Sequence, residues 1–250
     1  MRRLTFALAS LFVALPLSAA NVPAHIAAAI AAPERSDKDH ERDVREKPAE
    51  LMTLAGIRPG MKVADVLGGG GYWSELIARA VGPDGAVTLV NNSPYWNYAK
   101  DDQKVRFADG RLSSITRRVV ETCDLKLGRG EYDLILMFMS YHDIHWVNEA
   151  GGWPAIDTGS FLDQLHAALK PGGALLIVDN AAAAGAGSSS VNTLHRIEEA
   201  FARKDIEAHG FALEKTWDVY RNPQDDYTKL VFDAAVRGKT DRFVHLYKKQ

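Results

Sequence analysis

Three observations in this sequence predict a doubly wound α/β fold, a mostly parallel sheet with helices on both faces. From residue 61 onward, short apolar segments of strand character alternate with segments of helical periodicity, the order in which parallel strands and their crossover helices follow one another. Tyr132 to Met139 (YDLILMFM) is almost continuously apolar, as a strand buried on both faces has to be. Four consecutive glycines, Gly68 to Gly71, separate the first apolar run from the first helical pattern.

The elements follow in order. Met61 to Leu67 is a valine-containing run with a glycine stop and reads as a strand, and Tyr72 to Val81 has helical spacing. Ala86 to Val90 is a second strand, Pro94 to Lys100 a helix, and Val105 to Ala108 a third strand that ends before Asp109. Thr158 to Leu169 is an amphipathic helix closed by Lys170-Pro171-Gly172-Gly173, and Ala174 to Val178 is the next strand. Leu194 to Ala208 is helical in pattern. Phe211 to Tyr220 and Lys229 to Val236 read as a strand pair joined by a turn-rich segment, which adds an antiparallel edge. Ala181 to Ser190 is low in complexity and reads as a loop.

Ahead of the domain, Arg2 and Arg3 precede an uncharged stretch from Leu4 to Leu17 and the small triplet Ser18-Ala19-Ala20. That is the layout of a secretory signal, cleaved after Ala20, and predicts a periplasmic or secreted protein with no stable membrane insertion after cleavage. The stretch is shorter than the roughly 20 residues a membrane-spanning helix needs. Residues 21–48 form an Ala-rich helix followed by a run dense in both charges, read as a solvated strap. The domain itself is placed at residues 49–250. Thirty basic against thirty-two acidic residues leave a net charge of -2, so bulk electrostatics speaks against a nucleic-acid partner. The single cysteine, Cys123, allows no internal disulfide. Nothing in the sequence specifies an oligomeric state.

A glycine turn between the first strand and its helix lets backbone approach a ligand at a helix N-terminus. A phosphate-binding loop would need Gly-Lys-Ser/Thr, and Gly71 is followed by Tyr72-Trp73-Ser74. A dinucleotide fingerprint would need glycine or alanine where Ser74 stands, a weak match. A turn with no ligand is the plain structural alternative.

The chain resembles the class I S-adenosylmethionine-dependent methyltransferases, and within them an exported bacterial branch with a glycine-rich DxxxGGGY first turn. The likeness spans about residues 45 to 237. It is carried by Arg58 to Asp65 leading into Gly69-Gly70-Gly71-Tyr72, by Val81 to Gly85, by Tyr132 to Ile135 leading into Tyr141-His142-Asp143, and by Leu169 to Gly173. The resemblance implies a Rossmann-like, doubly wound seven-stranded sheet, mostly parallel with an antiparallel edge strand. It also implies S-adenosylmethionine as cofactor and a small-molecule methyl acceptor. Asp65, Gly69, Gly70 and Gly71 are then expected to shape the turn around the cofactor, and Asp109 to lie near its adenine. Asn91 stands where such proteins place an acid on the ribose hydroxyls. That departure predicts weaker binding; the family's usual first glycine is also missing, with Leu67 in its place, a feature the exported branch shares.

Methyl transfer is an in-line displacement, so alignment is the protein's main task, and a base helps where the acceptor carries a proton. Tyr141, His142 and Asp143 follow the central strand, where open parallel sheets gather their ligands, and His142 is the candidate base. Its alternative is a helix-capping histidine. His142, Asp143 and His145 also make an HDxH string, but near neighbours without a distant anchor are weak evidence, although His195 is available to supply one. No metal site is expected. Trp146 and Trp153 are read either as an acceptor wall or as core. Two other functions remain open: an S-adenosylmethionine-binding or sensing protein without turnover, and a dinucleotide enzyme.

Overall fold

The computed structural model describes residues 22–250, and the signal segment expected at residues 1–20 lies outside them. Helices α1 (Ala24–Ile30), α2 (Asp37–Glu46) and α3 (Pro48–Leu54) precede β1 (Lys62–Val66), α4 (Tyr72–Val81), β2 (Ala86–Asn91) and α5 (Ser93–Arg106). Then come β3 (Ile115–Val119), β4 (Tyr132–Phe138), α6 (Thr158–Ala168), β5 (Leu169–Asn180), α7 (Val191–Leu194), α8 (Glu199–Glu207), β6 (Phe211–Trp217) and β7 (Arg242–Lys249).

The seven strands form one sheet in the order β3-β2-β1-β4-β5-β7-β6. Strands β1 to β5 pair in parallel, and β7 runs antiparallel to both β5 and β6. The predicted fold class holds, with β4 at the centre. Successive residues of a strand face opposite sides, and here both sides are covered. Val63, Leu134, Leu136 and Leu176 pack beneath Leu76, Ile77 and Ala80 of α4 and Ile26 of α1. Ala64, Val66, Ile135, Met137 and Ile177 pack on the other face with Phe161, Leu162 and Leu165 of α6 and Ile206 of α8. Two covered faces are why β4 reads as unbroken apolar sequence.

Four expectations are corrected. Val105 to Ala108 belongs to the end of α5 and the turn after it, with Val105 76% exposed, and the third strand is β3. Of ITRRV only Ile115 is buried, so this edge strand has no apolar run by which to be found. The last strand is β7, and residues 229–236 fold as turns. Phe243, Val244, Leu246 and Tyr247 are buried in β7, which lies between β5 and β6 and leaves β6 as the edge. The helical pattern over 194–208 breaks at His195, which adopts φ 50° and caps α7.

The charged run is not a solvated strap. Arg35 pairs through both guanidinium nitrogens with Asp43 at 2.6 and 2.7 Å. Asp39 pairs with Arg106 at 2.6 Å and Glu46 with Arg242 at 2.9 Å. Arg35, Asp39 and Glu46 are all buried. Burying a charge is tolerable only when it is paired, and the partners of Asp39 and Glu46 lie on α5 and β7, far away in sequence.

Candidate active site

At the carboxyl end of β1, Asp65 is fully buried. Its Oδ2 accepts a hydrogen bond from Ser74 Oγ at 2.6 Å, and its Oδ1 has no partner among the described residues. Burial pushes the carboxyl up to about 6, against the Ser74 bond that favours the charged form. Leu67 follows at φ 53°, the left-handed region that glycine enters without strain, so the glycine missing from this position leaves its backbone conformation behind. Gly71 has φ 83° and precedes α4.

This turn is held by the chain itself. Asn91 Oδ1 accepts from the Gly69 N–H at 2.9 Å, and Asn91 Nδ2 donates to the Gly69 carbonyl at 3.0 Å. Gln103 Nε2 donates to the same carbonyl at 2.7 Å, and Arg106 Nε to that of Gly70 at 2.8 Å. A Cβ on Gly70 would stand 2.9 Å from Asp102 Cβ, and one on Gly71 would stand 3.1 Å from the Phe107 ring and 3.2 Å from Leu89. The glycines here accommodate α5 and its end. Asn91 therefore spends its hydrogen-bonding groups on the turn. Asp109 is displaced further, lying in an exposed turn ahead of β3 and not at a strand's carboxyl end. The acid beyond the end of β3 is Glu121, which accepts from Ser93 Oγ at 2.5 Å.

Beyond β4 the chain turns at Met139, φ 57°, into a short 3-10 helix, His142–His145. His142 Nδ1 lies 2.7 Å from Asp179 Oδ1 at the end of β5, and the His142 main-chain N–H donates to Asp179 Oδ2 at 2.7 Å. On the far side of the ring, Nε2 lies 3.3 Å from Asp143 Oδ1 and 3.3 Å from His195 Nδ1. Tyr95 Oη donates to Asp143 Oδ2 at 2.6 Å. His142, Asp143 and His195 face a cavity of about 630 Å³, with Tyr95, Trp146 and Trp153 in its wall. Trp146 and Trp153 pack ring to ring at 5.4 Å, and Tyr95 and Trp153 at 5.5 Å.

Burial works against charge on the His142 ring, but Asp143 and Asp179 outweigh it and push its pKa up to about 9. At neutral pH the ring is already protonated, so the free imidazole expected of a base is not its resting form. Asp143, buried beside it, is held below the ordinary carboxylate range by His142, His195 and Tyr95. Tyr141 points elsewhere. Its hydroxyl donates to Asp205 Oδ2 at 2.5 Å on the α8 side of the sheet, and it forms no part of the cavity wall. His145 joins it, 3.4 Å from Asp205. Of the three residues proposed from sequence, the fold brings His142 and Asp143 together and turns Tyr141 away; beside them it sets His195, the distant anchor available in the sequence, with Asp179 and Tyr95. The sequence signal for Asp179 was its place after the fifth strand, while Tyr95 had none.

The model of the family described as "Methyltransferase domain" matches residues 39–216. The chain belongs to the methyltransferase-domain family. Over 199 residues it is 23% identical to the ubiquinone/menaquinone biosynthesis C-methyltransferase UbiE of Idiomarina loihiensis, covering 76% of this chain and 71% of that one. An S-adenosylmethionine-dependent methyltransferase from Aquifex aeolicus shares its fold with a TM-score of 0.59 at 18% identity, over 86% of this chain and 100% of the other. An arsenic(III) S-adenosylmethionine methyltransferase from Chlamydomonas reinhardtii does so with a TM-score of 0.54 at 17% identity, over 91% and 73%.

S-adenosylmethionine is the methyl donor named for both of those structures. The chemistry of the turn suits it: positive-φ glycines at the start of a helix, with a buried carboxylate oxygen unpartnered beneath them. The posture of the turn does not. Asn91, Gln103 and Arg106 occupy the Gly69 and Gly70 groups that a ligand would approach, and neither the glycines nor Asp65 reaches the cavity wall. In this conformation the turn is closed.

Proposed function

We propose that this methyltransferase acts on a small planar acceptor bearing negative charge, bound in the cavity beyond β4 and β5. Tyr95, Trp146 and Trp153 offer flat apolar walls, against which an aromatic or quinonoid ring packs well. The observation that carries the reading is cationic: Arg42, Arg45, Arg237 and Arg242 line the same cavity, and three of them share a single carboxylate, Glu46, which lies 3.4 Å from Arg42, 3.0 Å from Arg45 and 2.9 Å from Arg242. One carboxylate among four guanidinium groups leaves this end of the cavity positive, and a carboxylate or phosphate on the acceptor matches guanidinium geometry. The donor supplies an electrophilic methyl on a sulfonium. This chain's residues then orient the acceptor, through the arginines at its charged end and the aromatic walls along its face.

Methyl transfer from isotopically labelled S-adenosylmethionine to a panel of aromatic carboxylates and their uncharged esters tests this. Labelled product is expected from the acids and not from the esters. Turnover of the esters alone would sink the charge argument, and absence of S-adenosylmethionine and S-adenosylhomocysteine binding by calorimetry would sink the reaction. The same reading includes export through residues 1–20 and membership of the exported branch. The donor is made in the cytoplasm, so an exported enzyme would have to meet it outside. Mass spectrometry of the secreted or periplasmic fraction is expected to find an N-terminus at Asn21, and an intact Met1 chain in the cytoplasm would refute it.

A further inference from the structure

We infer that His142, Asp143 and His195 bind a divalent transition metal of tetrahedral preference, zinc foremost, with its fourth position open to the cavity. Sequence speaks against a metal because His142, Asp143 and His145 are near neighbours. The fold replaces the anchor: His145 turns toward Asp205, and His195, fifty-three residues beyond His142, takes its place.

The three donor atoms define the geometry. His142 Nε2 and Asp143 Oδ1 are 3.3 Å apart, His142 Nε2 and His195 Nδ1 3.3 Å, and His195 Nδ1 and Asp143 Oδ1 3.6 Å. Ligands about 2.05 Å from a tetrahedral ion stand about 3.3 Å apart, whereas facial ligands of an octahedral ion at the same bond length stand about 2.9 Å apart. The observed edges match the tetrahedron. Two histidines and one carboxylate form a donor set zinc uses in catalytic sites, where the fourth position takes water or a substrate atom.

Each donor is already oriented. Asp179 accepts from His142 Nδ1 at 2.7 Å, so the proton that a metal displaces is the one on Nε2, whose lone pair then faces the centre, as in carboxylate–histidine–zinc arrangements. Tyr95 holds the other oxygen of Asp143 at 2.6 Å. The His195 ring packs against Trp146 at 5.2 Å and Phe232 at 5.1 Å, on a backbone at φ 50°. A non-glycine residue held in that region marks a position the surroundings over-determine. All three ligands line the cavity, so the open position faces the space assigned above to the acceptor. The inference does not depend on methyl transfer, because its test needs neither donor nor acceptor.

The full chain, freed of metal by chelation and dialysis, is titrated with Co²⁺ alone and then with Zn²⁺. Expected are one Co²⁺ per chain with the intense visible absorption of tetrahedral cobalt, its displacement by Zn²⁺, and a melting temperature that rises with Zn²⁺. His195→Ala and Asp143→Asn should each weaken Co²⁺ binding by on the order of 100-fold, and His145→Ala should leave it unchanged. His195 sits at the end of the short helix α7 and is partly exposed, and circular dichroism checks that its variant is folded. Absence of stoichiometric binding, a weak octahedral spectrum, or equal affinity in wild type and both ligand variants would overturn the site.

Discussion

At the glycine turn, the carbonyls of Gly69 and Gly70 are bonded to the chain's own Gln103, Asn91 and Arg106. At the ends of β4 and β5, by contrast, His142, Asp143 and His195 face a cavity of about 630 Å³. The first region has a family signature in its residues and is shut. The second has little signature and is open. Backbone groups of a tight turn must find partners wherever water is excluded, so Asn91 at the end of β2 and Gln103 and Arg106 of α5 supply them in this conformation. The side chains beyond β4 are instead satisfied by one another, which leaves their outer faces free.

The largest test of that contrast is Arg106→Ala. Arg106 reaches Asp39 and Glu75, both buried, as well as the Gly70 carbonyl. Glu75 keeps Arg79 and Arg111, but the buried Asp39 carboxylate loses its arginine, which costs about 3–5 kcal/mol and lowers the melting temperature by on the order of 10 °C in a chain of this size. A loss under about 1 kcal/mol by chemical denaturation, the range of exposed pairs, would mean that charge does not lock α5 on the turn.

Asp65→Asn should act in the opposite direction. The Asp65 carboxyl, near 3.8 when unfolded, is pushed up to about 6 when folded. The folded state therefore holds its proton more tightly, and the wild type loses stability as pH rises from about 4 to about 6. The neutral amide escapes that loss, so the variant should be more stable by about 3 kcal/mol at pH 7, with the gap closing toward pH 4. Denaturation curves at both pH values check it, and a gap of equal size at each would exclude the titration of Asp65 as its cause.

Asn91→Asp probes the turn more gently. A carboxylate cannot donate to the Gly69 carbonyl as the Asn91 amide does, so a loss of about 1–3 kcal/mol is expected. Tighter S-adenosylmethionine binding at unchanged stability would instead put residue 91 on the ribose and refute the closed turn. The smallest effect is expected of Gln103→Ala, which removes one bond to Gly69 at about 1 kcal/mol. Weakening the closed state by that amount should raise the apparent cofactor affinity by up to about 5-fold, measured by calorimetry. Unchanged affinity would show that the turn need not open.

Local chemistry made much of this molecule legible. The β4 run, the glycine stop after β1, and the helical spacing of α4 and α6 appear in sequence because burial and backbone conformation act within a few residues. Strand β3 was missed because an edge strand needs little apolar surface. β7 starts at Arg242, thirteen residues beyond the start of the strand expected at 229–236, because turn signals do not say which later segment returns to the sheet. The charged run of α2 reads as solvated until Arg106 and Arg242 are placed beside it.

By itself, then, the sequence determined the alternation of strand and helix, the central buried strand, the glycine turn and the placing of His142 and Asp143 beyond β4. Those follow from side-chain periodicity and from the order of strand ends along the chain. Only the tertiary structure decided that Asn91 bonds the turn, that Tyr141 and His145 face Asp205, and that His195 comes within 3.3 Å of His142. Periodicity is local and records which face a residue presents, whereas these contacts depend on how distant segments meet, and neither Tyr95 nor His195 carries that meeting in its neighbours.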